Sequence, residues 1–143
     1  MRRRDFVSSG LVGAAAAALP SAAATAADGA GFDAQLVRMR FKPDGKRLWL
    51  DWAEELKRRR GEVVETLRNE GVRSEACFLA KDGETLYFFM ESADAAKAMA
   101  AFSASKLPID AEHKRKLSAC LEIVEVMTPL FDFQNDILPG GQG

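Results

Sequence analysis

The chain has 143 residues, with 20 Lys and Arg against 21 Asp and Glu and a formal charge of −1. Such a balance gives no general electrostatic drive toward nucleic acid or an anionic membrane. Two cysteines, Cys77 and Cys120, exclude a disulfide-rich scaffold and a four-cysteine zinc site, and no glycine-rich nucleotide loop, His-Glu-x-x-His motif or serine nucleophile elbow occurs.

The first element is a leader. Arg2 to Arg4 form a basic start, GLVGAAAAAL an apolar centre, and SAAATAADG a small-residue region with a plausible cut after Ala26. Those parts in that order predict an export signal over residues 1–26. The stretch is too short and too alanine-rich for a membrane anchor, which needs roughly 20 strongly apolar residues. Arg3-Arg4-Asp5-Phe6-Val7 resembles a twin-arginine signal. That resemblance implies a bacterial chain that meets the export machinery already folded and ends up periplasmic or secreted. What remains is the right length for one compact domain, read as a flexible lead over 27–33, a domain over 34–133 and a flexible tail over 134–143.

Residues 34–41 predict a strand with Val37, Met39 and Phe41 on one face and Arg38 and Arg40 on the other. Lys42 to Gly45 turn the chain. A helix follows from about Lys46, its apolar stripe running through Trp49, Trp52, Leu56, Val63 and Leu67. Gly61 kinks or divides that helix, and Asn69-Glu70-Gly71 ends it. Residues 72–79 and 85–91 read as a hairpin joined through Asp82-Gly83, the residue pair that most readily enters tight-turn dihedrals. Leu86-Tyr87-Phe88-Phe89-Met90 is apolar on both sides. One of its faces meets helices, and the other requires a cavity or a second subunit.

Ser92 or Asp94 starts the next helix, which breaks at Ser103–Pro108. Asp110 then caps a shorter helix over 111–119, and residues 121–127 make a last strand before the apolar Leu130-Phe131-Asp132-Phe133. The order strand, helix, strand, strand, helix, short helix, strand predicts an α+β, ferredoxin-like split strand-helix-strand domain. Helices on one side of the sheet leave the other face for a partner or a pocket, so a homodimer packed sheet to sheet is expected. A monomer with its tail over the sheet is the alternative.

The stretches RLWLDWAEELKRRRGEVVETLRNEGVRSEACFL and LPIDAEHKRKLSACLEIVEVMTPLFDF resemble a small bacterial family of uncharacterised domains, over roughly residues 34–133. More distantly the architecture is similar to dimeric α+β barrels. That likeness implies a barrel-type homodimer and a range of activities, from small monooxygenases, haem-degrading proteins and isomerases to proteins without catalysis, among which fold cannot choose.

His113 is the sole histidine and shares a helix face with Leu117 and Cys120. Near a helix start its cationic form is disfavoured, which suits either a proton-transfer or ligating imidazole or a plain hydrogen-bonding helix residue. Asp110 caps the helix or orients His113. Tyr87, the only phenol, fills the core or presents its hydroxyl to a ligand. It shares a strand face with Phe89, while Arg38 and Arg40 either receive a carboxylate or pair with acidic side chains. Trp49 and Trp52 read as packing. Lys57-Arg58-Arg59-Arg60 reads as a solvated helix face more readily than as an anion patch. An oxidising setting permits, without requiring, a Cys77–Cys120 bond.

Together these readings give an exported domain that binds a small apolar or carboxylate-bearing ligand through Arg38, Arg40 and Phe89, or serves as an interaction module. A small-molecule enzyme with His113, Asp110 and Tyr87 as catalytic residues is one alternative, and haem or metal held by His113 is another. No cofactor is required by any motif.

Overall fold

A computed structural model describes residues 31–134. The leader read over residues 1–26 and nearly all of the tail lie outside them. Eight elements follow one another: β1 (Asp33–Phe41), α1 (Gly45–Arg58), α2 (Arg60–Glu70), β2 (Val72–Leu79), β3 (Thr85–Ser92), α3 (Ala95–Ala104), α4 (Pro108–Cys120) and β4 (Leu121–Val126). The strands form one antiparallel sheet in the order β2-β3-β1-β4. No helix among the described residues is long and apolar enough to cross a membrane.

The sheet is open, with β2 and β4 as separate edges. This corrects the ferredoxin-like, barrel-type expectation on the point of closure. A barrel requires the edge strands to find partners around a ring, whereas here each has a neighbour on one side only. The domain is a mixed α+β fold, with four helices and a four-stranded antiparallel sheet.

Register decides which residues face the helices. Val37 pairs with Phe88 and Met39 with Leu86, while Arg38 pairs with Tyr87 and Leu36 with Phe89. Alternation along strands therefore sends Val37, Met39, Leu86, Phe88 and Met90 to one side, and Leu36, Arg38, Tyr87 and Phe89 to the other. The first set meets Trp49, Trp52, Ile109, Cys120 and Leu121 in the core. Trp49 and Trp52 lie one turn apart on α1 and are each 3% exposed, so they supply much of the apolar area that holds α1 down.

Local chemistry sets the ends. Asp82 accepts from the Glu84 and Thr85 amides at 2.8 and 2.9 Å and from the Thr85 hydroxyl, which fixes the hairpin loop, and Gly83 takes a positive φ of 71°. Asp94 caps α3 by accepting from the Lys97 amide at 2.9 Å. Gly45, at the start of α1, lies so close to the Cys120 backbone that a Cβ there would collide with it, and the Lys42 amide donates to the Cys120 carbonyl at 2.8 Å.

Two helix boundaries differ from expectation. The long helix breaks at Arg59, with φ −95° and ψ 30°, and Gly61 lies inside α2. At the break the Arg59 guanidinium donates to Glu62 at 2.8 and 2.9 Å and to both Glu112 oxygens at 3.0 Å, which ties the α1–α2 corner to α4. Helix α4 starts at Pro108, whose fixed φ and missing N–H suit a first helical position. Asp110 is therefore already inside the helix and caps nothing.

Candidate functional site

Between the helices and the sheet lies a cavity of about 120 Å³. Its wall is mostly apolar, with Met39, Leu56, Leu67, Phe88, Phe102 and Ile109 among the lining, and its polar groups are Thr66, Glu70, Glu75, Asp110 and His113. Each helix and each of the three strands β1, β2 and β3 contributes.

His113 projects from the second turn of α4, among Trp49, Trp52, Phe88 and Phe102, with ring centroids 5.7–6.5 Å away. The Trp52 indole N–H donates to His113 Nδ1 at 2.9 Å. An indole nitrogen is a donor only, so Nδ1 is an acceptor and the neutral ring carries its proton on Nε2. Burial holds the imidazole pKa down to about 4 against a small opposing pull from Asp110. The neutral ring expected from the sequence thus arises from desolvation. Nε2 has no hydrogen-bond partner among the described residues, and it gives the cavity a donor.

The polar end is a hydroxyl bridge. Thr66, buried on α2, has Oγ1 at 2.9 Å from Glu70 Oε1 and at 2.6 and 2.7 Å from the two Asp110 oxygens. The Ser105 hydroxyl donates to Asp110 as well. A hydroxyl has one proton, so Thr66 cannot donate to both acids. Helix direction separates them: Asp110 sits in the first turn of α4 and Glu70 is the last residue of α2. A helix N-terminus favours an anion and a C-terminus opposes one. The Thr66 proton is therefore better placed on Asp110, and Glu70 donates to Thr66 when it carries a proton. Burial in turn pushes the Glu70 pKa up to about 7, helped by the neighbouring Asp110 charge. Glu75 is raised to about 7 chiefly by desolvation in the crowded cavity wall, with Glu70 and Asp110 adding repulsion. Its side chain stands on the edge strand β2 where water reaches it, so burial acts more firmly on Glu70 than on Glu75.

The sequence-predicted residues divide between the two sides of the sheet. His113 and Asp110 line the cavity, but Asp110 spends its oxygens on Thr66 and Ser105 and does not orient the imidazole, which Trp52 does. Tyr87, Phe89, Arg38 and Arg40 lie on the opposite face. There Arg38 pairs with Glu125 at 3.1 Å and Arg40 with Glu122 at 2.9 Å, the acidic-partner reading of that pair. Three of the four cations in the basic run are likewise occupied: Lys57 meets Glu54, Arg58 meets Glu55, and Arg59 meets Glu62 and Glu112. Cys77 is exposed and Cys120 buried, and both are free thiols. Among the described residues no group of three or more His, Cys, Asp or Glu side chains is placed to hold a metal ion.

Sequence reasoning missed Thr66, Glu70 and Glu75. The signal was present: Glu70 lies seven residues after Val63 and so continues the apolar stripe of α2, and Glu75 shares a strand face with Cys77 and Leu79. A carboxylate on an apolar face marks a buried acid.

The chain belongs to a family of unknown function, DUF6176, whose model matches residues 32–135. None of the curated proteins and none of the solved structures matches it. The family assignment replaces the likeness to dimeric α+β barrels. It rests on the domain alone, starting past residues 1–26, and gives no part to a twin-arginine signal, translocation or a secreted setting.

Proposed function

We propose that this DUF6176 domain binds a small, mainly apolar molecule in the cavity between its helices and its sheet, with the His113 Nε2–H as the donor that orients it. The observation carrying this reading is that donor, an N–H that faces a mainly apolar cavity and meets no protein acceptor among the described residues. An occupant with an oxygen or nitrogen acceptor would pair it. The size is suitable for one ring: an engineered apolar cavity of about 150 Å³ takes up benzene, and this one is about 120 Å³. It is too small for a porphyrin, so the volume lends haem no support.

Binding is better supported than catalysis. Both Asp110 oxygens are engaged by hydroxyls and His113 Nδ1 by Trp52, which leaves no oriented acid–base pair of the kind a proton-transfer enzyme uses. A carboxylate-bearing ligand is also disfavoured, since Arg38 and Arg40 lie across the sheet from the cavity and are already paired.

The test uses the tryptophans beside His113. Benzyl alcohol titrated into the full chain should change Trp emission saturably, and Leu67→Phe, which fills the cavity from α2, should remove the response. A linear, non-saturating change that is the same in both proteins would overturn the reading.

For the uncovered sheet face the proposed partner is a second copy of the chain. Tyr87, Phe89 and Leu36 supply an apolar centre with the exposed Phe78 beside it. Arg38 and Arg40 alternate with Glu125 and Glu122 along one side. A border carrying both signs is self-complementary under a two-fold axis.

A further inference from the structure

The polar end of the cavity narrows the chemistry of its occupant. Glu70, Glu75 and Asp110 all line it, and no lysine or arginine does. Lys114 on α4 is engaged elsewhere: its ammonium donates to the Ser103 carbonyl at 3.0 Å and lies 5.1 Å from the Phe102 ring, and its charge is the smallest of the influences on Glu70. His113 is neutral and its Nε2–H faces the same space without a partner. Buried carboxyls without a cation must either hold protons or find one. Glu70, its Oε1 2.9 Å from the Thr66 hydroxyl, has its pKa raised to about 7 by burial.

We propose that the occupant is a small, mainly apolar amine whose ammonium group pairs with the carboxylate of Glu70. This assignment rests on the cavity being a binding site and names the class of ligand it takes. Three features favour a cation at that position. Glu70 ends α2, so the negative end of the helix dipole adds to its own charge. Asp110 stands beyond the shared Thr66 hydroxyl and adds a second negative charge at short range. The remaining wall is apolar, and in such surroundings a charge-assisted pair is stronger than in water. At the other end of the ligand, the His113 N–H reads an acceptor atom or a π face.

The exchange balances. Neutral Glu70 plus a free ammonium ion gives the carboxylate–ammonium pair and one proton, which leaves for solvent. The groups facing Glu70 are Asp110, His113 and Lys114 from α4 and Glu75 from β2, while α3 presents Phe102 to the cavity. Affinity for an amine that stays protonated therefore rises with pH as Glu70 gives up its proton around pH 7.

Calorimetry on the full chain with benzylamine, benzyl alcohol and benzoate, at pH 6 and pH 8, tests this. At pH 8 benzylamine should bind about tenfold or more tighter than benzyl alcohol, as expected for a hydrogen bond between charged partners. The preference should shrink at pH 6, and benzoate should bind weakest. Repeating the pH 6 titration in buffers of different ionisation enthalpy should show proton release on benzylamine binding. Glu70→Gln should abolish that release and weaken benzylamine about tenfold. Should the variant not fold, the buffer comparison on the unmodified chain decides alone. Benzyl alcohol binding as tightly as benzylamine at pH 8, without proton release, would overturn the amine assignment and leave the cavity reading standing. If neither probe binds, both readings fall.

Discussion

The two faces of the sheet are built from the same strands and yet are held by different physics. On the helix side, Trp49, Trp52, Ile109, Val37, Met39 and Leu86 are nearly all removed from water, and Thr66, Glu70, Asp110 and Ser105 are bonded to one another. On the other side, Tyr87 and Phe89 are half-buried, Phe78 is 56% exposed, and arginine–glutamate pairs run along the surface. The difference teaches where stability and where function reside. Area taken out of water dominates on the first side, while exposed ion pairs contribute little on the second. Burial shifts the titration of polar groups most among the helices, and His113 and Glu70 are the informative ones there.

The largest expected effect that would break this contrast is on the helix side. Trp49→Ala should cost about 3–5 kcal/mol by opening a cavity under α1, read from urea unfolding followed by circular dichroism. A loss no greater than that of a surface substitution would mean α1 is not held by its tryptophans.

Next is the pH dependence of His113. Its folded pKa of about 4 lies below the usual value of 6.5, so the unfolded chain takes up a proton that the folded one refuses. The stabilisation is fully present above pH 6.5 and is lost as pH falls toward 4, on the order of 3 kcal/mol in all. Glu70 works in the opposite direction. Its folded pKa is raised, so folding is favoured at low pH and penalised as pH rises from 4.5 through 7. The two slopes oppose each other in the unmodified chain. His113→Leu should expose the Glu70 slope, with stability falling as pH rises from 4.5 to 7. Glu75 is raised in the same sense as Glu70, so Glu70→Gln combined with Glu75→Gln should expose the His113 slope, with stability rising over the same range. Equal profiles for the two variants would contradict the assignment.

On the open face, Phe78→Asp should leave the unfolding midpoint within about 0.5 kcal/mol of the original while shifting sedimentation toward monomer at micromolar concentration. If the unmodified chain is itself monomeric up to high concentration, a second copy is not what covers this face. The smallest effect belongs to Arg40→Ala, which breaks an exposed pair with Glu122. It should leave the urea midpoint unchanged, and a clear loss would show that the charged border is structural.

Much of the fold was legible because its signals are local. The Asp82-Gly83 hairpin, the Asp94 cap and the tryptophan stripe each depend on residues a few positions apart. The break at Arg59 was not, because what holds that corner is Glu112 on a distant helix, and Gly61 offered a plausible decoy. Asp110 was read as a cap since acid, turn and helix coincide in sequence, yet its partners Thr66 and Ser105 assemble only in three dimensions. His113 was singled out for being unique and does line the cavity. Its most informative contact, with Trp52, is hidden because tryptophans three residues apart on an apolar stripe read first as packing.

The tight approach of Gly45 to Cys120 has a mechanical consequence. The start of α1 abuts the end of α4, and Arg59 ties the other end of α1 to the start of α4 through Glu112. Helix α1 is thus fastened to α4 at both ends, like a lid screwed down along one side. Slow amide exchange should persist longest in this pair, and give way first along the edge strand β2, where Glu75, Cys77, Phe78 and Leu79 meet water.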